Sequence, residues 1–238
     1  MSGQVSNPLR TDRFCGSSED LDRLCSAVNA GDRGGWERYV REVGRAVDLR
    51  GVSLSERDLS GWCLEGADLG GADLEGALFD GARMARVRIS GANLRGAHFT
   101  TADLEGAEIS GSDMRGADFT RANLRSAELS GVTAAGADFS GCRMYMVRIS
   151  GCDLKGANLS GADARSGACE DSDLTGADLQ GGNFARTEFN CVVMVNANLS
   201  LAYFSGASLE AVDVDGADLR GASIPGAPRA RSRSLKKI

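Results

Sequence analysis

Aspartate is the residue type in this sequence that most suggests chemistry, because its carboxylates recur at short and regular intervals. They stand at Asp68, Asp73, Asp103, Asp118, Asp138, Asp178 and Asp218. Paired carboxylates are the groups that many general acid–base catalysts use. Here the same residue returns with a fixed period, however, and regular repetition argues against one unique site. The spacing instead favours a structural role, in which each carboxylate accepts hydrogen bonds from nearby backbone N–H groups in a turn.

Other groups that catalysis uses are sparse. The sequence has one histidine, His98, and it has no nucleophile elbow, phosphate-binding loop or metal-ligand spacing. Its seven cysteines include no Cys-x-x-Cys pair, so the sequence predicts neither a zinc site nor a disulfide framework. We therefore expect no enzymatic activity, no catalytic residue, no metal and no cofactor.

A period of five residues organises most of the chain. From Leu49 to Ile224 every fifth residue is mainly Leu, Phe, Ile or Met, which gives 36 successive pentads in one phase. Five is neither the period of a strand nor that of a helix. The chain must therefore turn once in each pentad if every apolar centre is to point inward. Alanine is common two residues before the centre and glycine two residues after it, where a corner needs a permissive backbone.

This pattern resembles the pentapeptide-repeat family, whose consensus is A(D/N)LXX, over about three quarters of the chain. The resemblance implies an all-β solenoid, a right-handed quadrilateral β-helix in which one pentad forms each face and four pentads form a coil. The 36 pentads would then make about nine coils. At roughly 4.8 Å per coil the rod is about 43 Å long, and neighbouring coils stabilise one another by stacking.

The two ends of the sequence differ from the repeats, which divides the chain into residues 1–46, 47–225 and 226–238. The first segment predicts two short helices, because apolar residues recur at helical spacing on either side of a glycine-rich break. These helices either cap the open end of the solenoid or form a partner-binding hairpin around Trp36. The last segment has five positive charges and no acids, so we expect a disordered basic tail or an electrostatic arm for an acidic partner.

Two features of the repeats concern the core. Four phenylalanines lie 20 residues apart and should stack in successive coils, at Phe79, Phe99, Phe119 and Phe139. Small residues at the successive centres Ala164 and Cys169 predict a thin core there, with a cavity or a bend.

The inward positions of Cys142, Cys152 and Cys169 favour buried thiols in a reducing cytoplasm. No signal peptide or membrane span is predicted.

Charge separates the four faces. The repeats carry a net charge of −11, yet the face centred on residues 64, 84 and so on to 224, which we call the basic face, carries +2. Its outward positions, together with Leu201 at the adjoining corner, predict a partner-binding surface of arginine and apolar residues. The candidate residues are Arg83, Arg86, Arg125, Arg143, Tyr145, Met146, Arg165, Arg186, Leu201 and Tyr203.

Two functions remain open at this point. The first is a non-catalytic protein-binding scaffold with an unidentified protein partner. The second is suggested by the resemblance, because some family members mimic duplex DNA and inhibit or protect DNA gyrase or topoisomerase IV. In that case the acidic surface would bind the enzyme, through Asp68, Asp73, Asp118, Asp138, Asp178 and Asp218. We expect the rod itself not to bind nucleic acid directly, and we prefer the scaffold, because −11 over 36 pentads is modest beside a duplex.

Overall fold

The computed structural model describes Leu9 and residues 14–224. Two helices, α1 (Ser18–Ala30) and α2 (Arg33–Glu42), precede the repeats. Seven three-residue strands then form one parallel sheet in sequence order. They are β1 (Arg88–Ser90), β2 (Glu108–Ser110), β3 (Glu128–Ser130), β4 (Arg148–Ser150), β5 (Ala168–Glu170), β6 (Glu188–Asn190) and β7 (Ser208–Glu210).

Every strand pairs with the strand 20 residues later, so that four pentads complete one coil. Arg88, for example, lies beside Glu108, and Ile89 lies beside Ile109. Isolated bridges repeat the same step on each face, beginning with Asp48–Asp68, Ser53–Asp73, Asp58–Leu78 and Cys63–Arg83. The fold is therefore the predicted parallel β-solenoid with four sides. Its seven regular strands span about six turns, fewer than the nine expected, because the coils at either end pair only through isolated bridges.

The backbone conformation at the corners explains how the chain can change direction after every five residues. Gly91 and Gly111 occupy the left-handed region, with φ values of 60° and 56°, which glycine adopts without the steric cost of a Cβ atom. The residue at each pentad centre then points inward. One continuous hydrophobic core runs from Val47 in the first coil to Val214 in the last, so each coil is stabilised mainly by its neighbours.

The predicted phenylalanine ladder lies within this core. Phe79, Phe99, Phe119 and Phe139 stack nearly parallel, with ring centroids 5.1, 4.7 and 5.0 Å apart in succession. The predicted thin region is also present: a small apolar cavity of about 20 Å³ lies beside Ala164 and Cys169. A small residue at two successive centres leaves the facing side chains without partners, and the surrounding coil does not close the gap.

The two helices pack against the first coil, and Leu21, Leu24 and Trp36 belong to the same hydrophobic core. Trp36 is 1% exposed, and its indole Nε1 donates a hydrogen bond of 2.7 Å to the carbonyl of Cys63. The preceding segment supplies backbone partners as well: the N–H of Ser53 donates to the carbonyl of Leu9 at 3.0 Å. The helices and the preceding segment therefore cover part of the core and part of the strand edge at this end of the solenoid.

A buried carboxylate joins the cap to the rod. Asp20 has no exposed surface and accepts hydrogen bonds from the Tyr39 hydroxyl, the Arg45 guanidinium and the N–H of Asp48. Burial alone would raise the pKa of Asp20, but these hydrogen bonds lower it below its ordinary value. Burial and the carboxylate acceptor raise the pKa of Tyr39 to about 12.

The predicted basic tail, residues 226–238, lies outside the described residues and stays a prediction. Among the residues that the structure describes, no helix is long and apolar enough to cross a membrane.

Candidate functional site

The basic face is built from columns of outward side chains, one above another along the rod. Arg143 forms bridges with Asn123 in the coil before it and with Asp163 in the coil after it. In the next column, the same 20-residue register places Arg125, Tyr145 and Arg165 in three successive coils. Their backbones are therefore separated by roughly 4.8 Å per coil.

The centre of this face holds five of the predicted residues, which we call the central cluster: Arg125, Arg143, Tyr145, Met146 and Arg165. The Arg125 guanidinium lies 5.7 Å from the centre of the Tyr145 ring, within the range of a cation–π contact. Arg165 forms two hydrogen bonds of 2.7 Å with the carboxylate of Asp163. Arg143 forms no ion pair with any other described residue, so its charge faces solvent.

The second group lies two to three coils further along the rod than Tyr145, roughly 10–14 Å away, and we call it the distal cluster: Arg186, Leu201 and Tyr203. Leu201 and Tyr203 are 61% and 57% exposed. Tyr203 lies in the same column as Arg143, and Leu201 lies at the corner beside that column. The stem of Arg186 packs over Gly206 in the next coil, with its Cγ 3.5 Å from the position of an added Cβ.

The structure places Arg83 and Arg86 apart from the other candidates. Arg83 forms an ion pair of 2.9 Å with Glu37 of α2, and Arg86 forms an ion pair with Glu65. Both arginines line a groove between α2 and the first coils. Their charges are thus engaged in ion pairs near the cap, away from the central and distal clusters.

Several candidate residues have a left-handed backbone conformation, which the sequence analysis did not predict. Met146 and Leu201 have φ values of 59° and 60°, and Arg186 also has a φ of 60°. These are corner positions where glycine is usual, and a side chain with a Cβ atom is strained there. The missed signal was available in the sequence, since a bulky residue replaces glycine two residues after the centre.

The acidic candidates are tied into the turns of the solenoid, as the repetition of aspartate indicated. Each of the six carboxylates accepts a hydrogen bond from the backbone N–H two residues later, and the acceptors are Asp68, Asp73, Asp118, Asp138, Asp178 and Asp218. Neighbouring coils add further donors: the side-chain amides of Asn158 and Asn198 donate to Asp138 and Asp178. These carboxylates therefore stabilise the turns of the solenoid in addition to carrying negative charge.

Catalytic or metal-binding clusters do not emerge from the described residues. No group of three or more His, Cys, Asp or Glu side chains within residues 14–224 is placed to hold a metal ion. His98 lies 4.0 Å from the carboxylate of Asp118 on an exposed face. Burial raises the pKa of the Cys142 and Cys169 thiols to about 12, so both are protonated at neutral pH and are poor nucleophiles.

The repeats match a known family model. Eight copies of the model for pentapeptide repeats match across residues 63–227. The chain belongs to the pentapeptide-repeat family. A comparison with curated proteins gives no match.

Several solved structures of pentapeptide-repeat proteins are similar to this chain. HetL, involved in heterocyst differentiation regulation in the cyanobacterium Nostoc, is 27% identical, with 79% of this chain and 91% of that chain covered and a TM-score of 0.42. Full-length QnrB1, a plasmid-mediated fluoroquinolone resistance protein, is 20% identical, with coverage of 73% and 92% and a TM-score of 0.48. A thylakoid lumen protein of Arabidopsis thaliana is 33% identical, with coverage of 45% and 68% and a TM-score of 0.22.

Proposed function

We propose that this protein is a non-catalytic scaffold that binds a protein partner in the cytoplasm through the central and distal clusters. One observation carries the proposal. The large apolar side chains that are exposed in the described chain all lie on the basic face or at its corner: Tyr145, Met146, Leu201 and Tyr203. Apolar side chains scattered at random would occupy all four faces, whereas residues of a binding surface collect on one.

The composition of the surface fits protein recognition. Tyrosine and arginine are enriched among the residues that contribute most to binding energy. Tyr145 stacks against Arg125, and Arg165 is held by Asp163. Side chains that are ordered before the partner arrives lose less conformational entropy on binding. A partner with acidic groups around an apolar contact would complement this surface.

Met146 and Leu201 are half or more exposed, so the solenoid core does not require them. Both occupy left-handed corners where glycine would fit without strain. Thirteen non-glycine residues of the described chain share this conformation, Cys191 among them, so the exposure of Met146 and Leu201, and not their strain, supports a contact outside the rod.

The alternative function is a DNA mimic that binds DNA gyrase or topoisomerase IV through the acidic faces. We favour the scaffold for two reasons. The six candidate carboxylates already serve as acceptors in the turns of the solenoid. In addition, the described part of those faces exposes one large apolar side chain, Leu201 at the corner that adjoins the basic face, whereas the basic face combines charge with three, Tyr145, Met146 and Tyr203.

A charge-reversal experiment tests the proposal. We expect Arg143→Glu combined with Tyr145→Ala to remove specific partners from affinity capture, measured by quantitative mass spectrometry against the wild-type protein. The control is Arg95→Glu, because Arg95 lies on the opposite face of the rod and its side chain is similarly exposed. If every specific partner of the wild-type protein is captured equally by the double variant, the central cluster is not the binding surface.

A further inference from the structure

Ion pairing divides the basic side chains of the repeats into two groups. On the other three faces, from Arg88 onward, every arginine and lysine that the structure describes forms an ion pair: Arg88, Arg95, Arg115, Arg148, Lys155 and Arg220. On the basic face and at the corner that holds Leu201, four exposed arginines, which we call the unpaired arginines, form no ion pair within residues 14–224: Arg121, Arg125, Arg143 and Arg186. The remaining unpaired arginine of the described repeats, Arg57, lies in the first coil. Uncompensated positive charge is thus concentrated beside Tyr145 and Tyr203.

The acids of the basic face are occupied by other groups. The side-chain amide of Asn123 donates to Asp103 at 2.8 Å and to Glu105 at 3.2 Å, and Arg165 forms two hydrogen bonds with Asp163. The unpaired arginines can therefore bind carboxylates of another molecule without first breaking an ion pair of the rod. Charge complementarity of this kind selects an acidic partner.

The backbone of this face determines which partner conformation fits. Its ladder is already paired between coils: the N–H of Arg143 donates to the carbonyl of Ala122 at 3.0 Å, and the N–H of Met146 donates to that of Arg165 at 3.0 Å. An extended partner segment would find no ladder to join, and its own N–H and C=O groups would face side chains. An α-helix satisfies its backbone groups internally, so this face favours a helix.

The spacing of the coils matches a helix that lies along the rod. One helical turn rises 5.4 Å and one coil about 4.8 Å, so a tilt of about 27° places one turn over each coil. From Arg121 to Tyr203 the surface extends over about four coils, or roughly 20 Å, which is the length of about 13 helical residues. Arg143 and Arg186 are about two coils apart, roughly 10 Å, which is the rise between helical residues i and i+7.

The corner beside the basic face leaves room for a helix. Arg121 and Leu201 stand four coils apart in one column of corner positions, and the three positions between them are glycines: Gly141, Gly161 and Gly181. A Cβ atom added at Gly161 or Gly181 would meet no atom within 4 Å. A partner can therefore approach the backbone closely between the two exposed side chains.

We propose that the partner contacts the basic face with one acidic, amphipathic α-helix of about 13 residues that lies along the rod. Its glutamate and aspartate side chains pair with the unpaired arginines, and its apolar side chains pack on Tyr145, Met146 and Tyr203. This helix rests on the scaffold function proposed above and specifies the chemistry that the scaffold recognises.

Selection from a display library of random peptides about 16 residues long, on the purified full chain, tests the helix without a known partner. We expect enriched peptides to carry acidic and apolar residues at the helical spacing i, i+3, i+4 and i+7. Their affinity, measured by fluorescence anisotropy, should fall at least about tenfold when all four unpaired arginines are replaced by glutamine. A proline in the middle of a peptide should have a similar effect, because proline breaks a helix.

A matched control removes the same charge from other faces. Arg95→Gln, Arg115→Gln, Arg148→Gln and Lys155→Gln together should leave the affinity of the enriched peptides unchanged. The acidic helix is overturned if no peptide is enriched, if enriched peptides lack acids, or if they tolerate the proline. It is also overturned if a short duplex DNA displaces them with the same dependence on the unpaired arginines, which would assign these arginines to a nucleic acid.

Tyr145→Ala combined with Tyr203→Ala separates this inference from the scaffold function. If the enriched peptides bind independently of the unpaired arginines but are lost in the tyrosine variant, the acidic helix is wrong and the scaffold surface stands. If neither the arginine variant nor the tyrosine variant changes their affinity, the basic face is not the binding surface, and both proposals fail.

Discussion

Replacing Leu201 by glycine separates binding from stability. Leu201 has a φ of 60°, and relief of this left-handed strain stabilises the fold by about 1–2 kcal/mol. Glycine makes the unfolded chain more flexible, which opposes this gain by about 0.5–1 kcal/mol. Leu201 is 61% exposed, so loss of its buried remainder removes about 0.6–1.2 kcal/mol. The three effects nearly cancel, and we expect the free energy of unfolding to change by less than about 1 kcal/mol.

Binding should respond differently. An exposed leucine that anchors a partner contributes about 1–2 kcal/mol, so Leu201→Gly should weaken partner binding roughly fivefold to thirtyfold. Chemical denaturation measures the first quantity, and quantitative affinity capture measures the second. Met146→Gly should behave in the same way, because Met146 is 50% exposed and has a φ of 59°.

A matched control lies at the diagonally opposite corner. Cys191 has a φ of 53° and is exposed, so Cys191→Gly should relieve strain without weakening binding. The reasoning is refuted if Leu201→Gly lowers the free energy of unfolding by more than about 2 kcal/mol, since Leu201 would then be a packing residue. It is refuted equally if the Met146→Gly and Leu201→Gly double variant binds as tightly as the wild-type protein.

Three other predictions concern the core, the cap and the acidic surface. Phe119→Ala should lower the free energy of unfolding by about 3–5 kcal/mol in urea, and Phe119→Leu by clearly less, because Phe119 is fully buried between two stacked rings. Asp20→Asn should lower the free energy of unfolding by about 2–3 kcal/mol near neutral pH, with Glu19→Gln as the control. Because folding lowers the pKa of Asp20, the stabilisation by this carboxylate is present above the ordinary carboxyl pKa and is lost as the pH falls through the folded-state pKa. The thermal unfolding temperature of Asp20→Asn should therefore fall less on acidification than that of the wild-type protein. The protein should neither inhibit gyrase supercoiling nor relieve its inhibition by a fluoroquinolone at stoichiometric amounts; either effect would favour the DNA-mimic function.

Sequence reasoning succeeded where structure depends on a local period. Because every pentad repeats the same turn, the positions of apolar centres alone determined which residues face the core. The phenylalanine ladder and the thin region at Ala164 and Cys169 followed directly from residues 20 or five positions apart. The number of turns with regular strands was harder to predict from the sequence, because a strand is regular only when coils pair with it on both sides. Each end coil has only one neighbouring coil.

Contacts between distant segments could not be predicted in the same way. Asp20 reads as an acid in the first turn of a helix, and its burial beside Arg45 follows only from the docking of the cap on the rod. The same docking brings Glu37 to Arg83. On the candidate surface, the sequence predicted which side chains point outward, and the four apolar ones are exposed. It did not separate arginines that are engaged near the cap from those that face solvent.

Site-specific photocrosslinking tests the central claim most directly. A photoreactive phenylalanine analogue at position 145 or 203 would lie within the proposed surface, and the same analogue at position 95 would lie on the opposite face of the rod. In cells that express the protein, we predict one common crosslinked protein from positions 145 and 203 and no crosslink to that protein from position 95. Equal crosslinking to that protein from all three positions, or its crosslinking from position 95 alone, would contradict the assignment of the basic face as the binding surface.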